Sequence, residues 1–79
     1  MTRDELTMRL REIFSMLLDE PVSEITPKTS PDSNEKWDSL MHIKLVAAIE
    51  EEFGVQISPE EQFEMMSVEL VEDILAEKL

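Results

Sequence analysis

The chain has 79 residues, a formal net charge of −12, no cysteine and a single glycine. A chain this short has room for one small core, and without cysteine it has no disulfide, thiolate metal site or thiol nucleophile of its own. The acidic balance excludes the clustered Lys and Arg that nucleic-acid phosphates require and favours partners that present basic surfaces.

Residues 1–79 are accordingly expected to form a single domain. Glu, Leu and Met are frequent, aromatic and β-branched residues do not alternate, and an all-α fold is predicted. The start, Thr2-Arg3-Asp4-Glu5, puts charges where a signal peptide needs an apolar run, and no stretch approaches membrane-spanning length. A monomeric, cytoplasmic protein with no membrane contact is expected.

The first helix is predicted over 2–18. Thr2 and Glu5 fit a capping box, and Leu6, Leu10, Ile13, Phe14, Leu17 and Leu18 recur at helical spacing as one apolar stripe. Pro21 ends it. A long irregular stretch then runs to Trp37, with Pro21, Pro27 and Pro31 among Ser, Thr and Asn, and Val22 and Ile25 are expected to anchor it. Asp32-Ser33-Asn34 resembles the start of a calcium loop, but Lys36 and Trp37 occupy its fifth and sixth positions, a ligand and the turn glycine, and Ile43 stands where the closing glutamate belongs.

A second helix is predicted from Asp38 to about Phe53, with Asp38 as N-cap and Gly54 as its stop. Leu45, Val46, Ile49 and Phe53 form its core face, with His42 at the rim. Leu40, Ile43 and Ala47 fall on another side beside Lys44 and Glu51, a stripe that either docks a partner or lies under another element. Glu50-Glu51-Glu52 reads as a solvated run. Ser58-Pro59-Glu60-Glu61 opens a short third helix through about Met66, with Phe63 and Met66 expected to reach inward. The fourth runs from Val68 to about Lys78, with Val68, Val71, Ile74 and Leu75 as its stripe.

Ser39 sits in the first turn of the second helix, where free N–H groups and the helix dipole favour a negative group. It is either an attachment point for such a group or an ordinary polar residue at a helix start. His42 lies one turn on, so a serine–histidine pair is conceivable. The chain has no glycine-rich turn for an oxyanion hole and little room for a pocket, and no catalytic residue is assigned.

Asp38-Ser39-Leu40 at a helix start, followed by Ile43 and the run Leu45 to Phe53, resembles the acyl carrier protein family. So do the long, long, short, medium helix order, the long loop between helices 1 and 2, and the acidic balance. The resemblance covers the whole chain and implies a four-helix bundle of three longer helices and one short one. It further implies a carrier, not an enzyme, that holds an acyl group as a thioester on a 4′-phosphopantetheine arm esterified to Ser39, with Asp38 and Leu40 flanking it. A phosphopantetheinyl transferase and acyl-loading and acyl-transfer enzymes with basic or apolar surfaces would be its partners.

Leu40, Met41, Ile43, Lys44, Ala47 and Glu51 are the expected docking residues, together with Trp37, which either joins that surface or packs on the long loop. The family often has Gly-Xaa before its Asp-Ser-Leu and acids at the positions that Met41 and Lys44 hold here. These departures point away from housekeeping fatty-acid synthesis, towards a specialised pathway and a short, hydroxy or amino acyl unit. The contrasting reading is an unmodified acidic interaction module that uses the Leu40, Ile43 and Ala47 stripe.

Overall fold

In the computed structural model, which describes residues 1–79, the chain forms four α-helices and no strand. They are α1 (Arg3–Leu18), α2 (Ser39–Phe53), α3 (Pro59–Glu64) and α4 (Val68–Lys78), with a 3-10 turn at Val22–Glu24. Each start has a side-chain cap. Thr2 Oγ1 accepts from the Glu5 N–H at 3.2 Å, Asp38 Oδ1 from Met41 at 2.8 Å and Ser67 Oγ from Leu70 at 3.2 Å. Ser58 and Glu61 complete a reciprocal capping box on α3. α1 and α2 both end in the left-handed region, at Asp19 (φ 54°) and Gly54 (φ 64°). Glycine at the second position avoids a side-chain penalty of roughly 1 kcal/mol.

One cluster of 16 buried apolar residues forms the core. α1 supplies Leu6, Leu10, Ile13, Phe14 and Leu18, α2 supplies Leu45, Val46, Ile49 and Phe53, and α4 supplies Val68, Val71 and Leu75. α1 packs against both α2 and α4. α3 buries no residue at all. It closes at Glu64 rather than about Met66, so Met65 leaves the helical register and turns into the core. Phe63 (81% exposed) and Met66 remain outside, contrary to the inward placement expected of them. Val22 is likewise on the surface, and Ile25 alone anchors that part of the loop.

The stretch from Asp19 to Asp38 is ordered by its own short-range bonds. Thr29, the only buried polar residue, accepts from the Thr26 N–H at 3.0 Å, and Ser30 and Ser33 close the next turn. The carbonyls of Thr29 and Pro27 accept from the Val68 and Glu69 N–H groups at 2.9 and 3.0 Å. These are donors that a helix start leaves unpaired. The long loop thus caps α4 while delivering Asp38 to the start of α2.

Candidate functional site

Ser39 is the first residue of α2, and its side chain is exposed. Asp38 points its carboxylate at the Met41 N–H, and His42 donates its backbone N–H to the Asp38 carbonyl at 2.8 Å. The N–H groups of Ser39 and Leu40 have no acceptor within the protein. Two free donors at the positive end of a fifteen-residue helix favour a phosphate ester on the adjacent hydroxyl. A groove of about 550 Å³ opens beside Ser39, between Pro31 and Asp38 on one side and Pro59, Phe63 and Met66 on the other. A flexible arm bearing a phosphate at its tethered end fits this combination of exposed hydroxyl, free donors and adjoining groove.

Trp37 is only 2% exposed and sits in the core, not on a docking surface. Its ring packs on Phe14 at a centroid distance of 5.0 Å, which removes the largest apolar side chain near Ser39 from water. The buried indole N–H needs an acceptor, and it donates to His42 Nδ1 at 3.0 Å. With Nδ1 accepting, the ring proton resides on Nε2, which donates to the Gln62 carbonyl at 2.9 Å. The two ring planes lie within 17° of parallel. Both imidazole nitrogens are therefore committed, and neither is offered to Ser39 as a base. This chain of contacts was not legible in the sequence. Helical periodicity cannot pair Trp37 with His42, because Trp37 precedes the helix, and the last partner is a backbone carbonyl.

Of the other expected docking residues, Leu40 and Ile43 are 63% and 65% exposed, and Lys44, Ala47 and Glu51 lie open on the same side of α2. Lys44 makes no ion pair, whereas Lys36 pairs with Glu20 at 3.6 Å. Met41 is half-buried against the core and offers only part of its side chain. Glu50 is not a solvated acid: its Oε2 accepts from the Ile57 N–H at 2.8 Å and holds the connector after α2. Two groups depart from their ordinary ionisation. The Ser58 backbone N–H and then Lys78 hold the Glu61 carboxyl below its usual range. Hydrogen bonds to Glu72 and then Asp73 raise Arg3.

The fold is that of a small four-helix domain with an exposed serine at the head of α2, and sequence comparison gives its class. The family described as "Phosphopantetheine attachment site" matches residues 9–75. The chain is 38% identical to an acyl carrier protein of Petrotoga mobilis over 79 residues, all of this chain and 93% of that protein. It is 34% identical to an acyl carrier protein of Rubrobacter xylanophilus over 98% of this chain and 95% of that one. Identity to the mitochondrial acyl carrier protein 2 of Arabidopsis thaliana is 31%, over 94% of this chain and 59% of that protein.

The chain belongs to the acyl carrier protein family. Its function is that of an acyl carrier and not of an enzyme, and its cofactor is covalent 4′-phosphopantetheine. Phosphopantetheinyl transferases and acyl-handling enzymes are the general partners of such carriers. No helix is long and apolar enough to cross a membrane.

Proposed function

We propose that Ser39 is the attachment point of the arm, with Asp38 fixing the start of the helix and Leu40 completing the motif. The observation that carries this reading is the exposed Ser39 hydroxyl beside two unpaired N–H groups at the head of α2. When bound, the arm supplies the thiol that this cysteine-free chain lacks, and the acyl group is held there as a thioester. The chain's own contribution is to present the serine on a rigid helix end and to show partners a fixed face.

That face consists of Leu40, Ile43, Lys44, Ala47 and Glu51, with the outer part of Met41. An apolar centre with charges at its rim suits acyl-loading and acyl-transfer enzymes whose docking surfaces are apolar or basic. Lys44, free of any internal ion pair, adds a requirement for an acid or a neutral acceptor on the partner. Met41 and Lys44 support assignment to a specialised biosynthetic pathway rather than general fatty-acid synthesis, with the domain acting as a monomer.

Intact-mass measurement after incubation with a broad-specificity phosphopantetheinyl transferase and coenzyme A tests the attachment point. One arm is expected on the native chain and none on Ser39→Ala. An arm that persists on Ser39→Ala, or never appears on the native chain, overturns the assignment.

A further inference from the structure

We infer that the Trp37–His42–Gln62 strut bars a long acyl chain from the core of this carrier, leaving a short acyl unit in the outer groove against Phe63 and Met66. The inference rests on attachment at Ser39. The groove beside Ser39 is lined by all three residues of the strut. Core side chains of α2 and α4 and of the segment between α3 and α4 do not reach it: Leu45, Ile49, Met65 and Val71 are each 1% exposed or less. A chain tethered at Ser39 that entered the core between α2 and α3 would have to pass His42 and the Gln62 carbonyl.

Passage there is opposed twice. Parting α2 from α3 breaks the 2.9 Å bond from His42 to Gln62, the one direct hydrogen bond between these two helices. Displacing the imidazole also strands the indole N–H of Trp37, which is buried and has no other acceptor. Trp37 in turn cannot swing away without vacating its place against Phe14. Outside the strut, the groove offers the exposed ring of Phe63 and the thioether of Met66. An open surface of that kind holds a few carbons but does not remove a long alkyl chain from water. His42 is thereby a positioning residue that sets chain-length specificity.

The test is thermal stability as a function of acyl length. The native chain is loaded with the arm from acetyl-, hexanoyl- and dodecanoyl-coenzyme A. In parallel, Ser39→Cys, which has the only thiol in its chain, is alkylated with iodoacetamides bearing the same three alkyl lengths. The second series needs no transferase, so failure to load Ser39 is distinguishable from failure of the strut. Tm is expected to stay within about 2 °C across the lengths in both series, since no added methylene is buried. With His42→Ala introduced, Tm of the unloaded protein falls, and longer chains then raise it by several degrees. In nuclear Overhauser spectra of the hexanoyl form, contacts from the terminal methyl to Phe63 and Met66 are expected. A Tm that climbs with length in the presence of His42, or methyl contacts to Leu45 or Ile49, overturns the inference. The native length series and these contacts decide it even if His42→Ala does not fold.

Discussion

Glu50 shows how a single acid at the wrong end of a helix can still stabilise. It lies in the last turn of α2, where the dipole disfavours negative charge, and alanine there would be the better helix former. Replacement by alanine therefore recovers up to about 1 kcal/mol from the dipole and from helix propensity. It also removes a charged acceptor from the N–H of the buried Ile57, a loss of about 1.5–3 kcal/mol. The second effect wins. Glu50→Ala is expected to destabilise the fold by about 1 kcal/mol, with Glu50→Gln in between, as measured by urea denaturation. The sequence hides this, because Glu50, Glu51 and Glu52 look alike until the chain turns back at Gly54. The place of Ser39 at the head of α2 is the opposite case, readable from its neighbours because a cap, a helix and a stop are all local signals. Trp37 lies between them: its position beside the motif was plain, but burial depends on the distant Phe14.

Among the elements, α3 is the least anchored. It buries no side chain and is held by its capping box, by the His42 and Gln62 bonds, and by the ion pair of Glu61 with Lys78 at 2.9 Å. Glu61 takes part in two of those ties, and its carboxyl is held below the ordinary 4.5. A depressed carboxyl contributes stability that is complete above the unfolded value and vanishes as pH falls through the folded one. Protection factors for amide exchange of residues 58–64 are thus expected to be level at neutral pH and to fall selectively below about pH 4.5. In Glu61→Gln that acid step should be absent. The start of α3 was legible to the residue from Ser58-Pro59-Glu60-Glu61. Its end was not, because Met65 leaves the helix to reach the core, and that is a tertiary preference over a local one.

For the whole molecule, charge is the dominant global influence. Five ion pairs are formed, every one with at least one partly exposed partner, and such pairs contribute about 0–1 kcal/mol each. Against them stand 19 acids and 7 bases on a chain of 79 residues, with Glu60, Glu64, Glu69 and Glu77 crowded onto α3 and α4. Repulsion outweighs pairing, so Tm is expected to rise by several degrees between about 10 mM and about 500 mM NaCl, where the Debye length shrinks from roughly 30 Å to under 5 Å. A fall in Tm would mean that the ion pairs outweigh the repulsion. The all-α, four-helix plan was readable because it needs only periodicity and punctuation. The hydrogen bonds that join loop, α2 and α3 were not, since they involve carbonyls and ring edges that no residue pattern encodes.

The carbonyls of Pro27 and Thr29 that cap α4 also impose an order in time. During synthesis, residues 68 and 69 are joined to the chain after α1, the loop and α2, and until then those carbonyls have no helix to meet and α1 lacks one of the two helices it packs against. Closure of the bundle waits for the final helix. A chain that lacks α4 carries its Asp-Ser-Leu segment on an unfinished core, so the rigid helix end proposed to present Ser39 is a property of the completed fold.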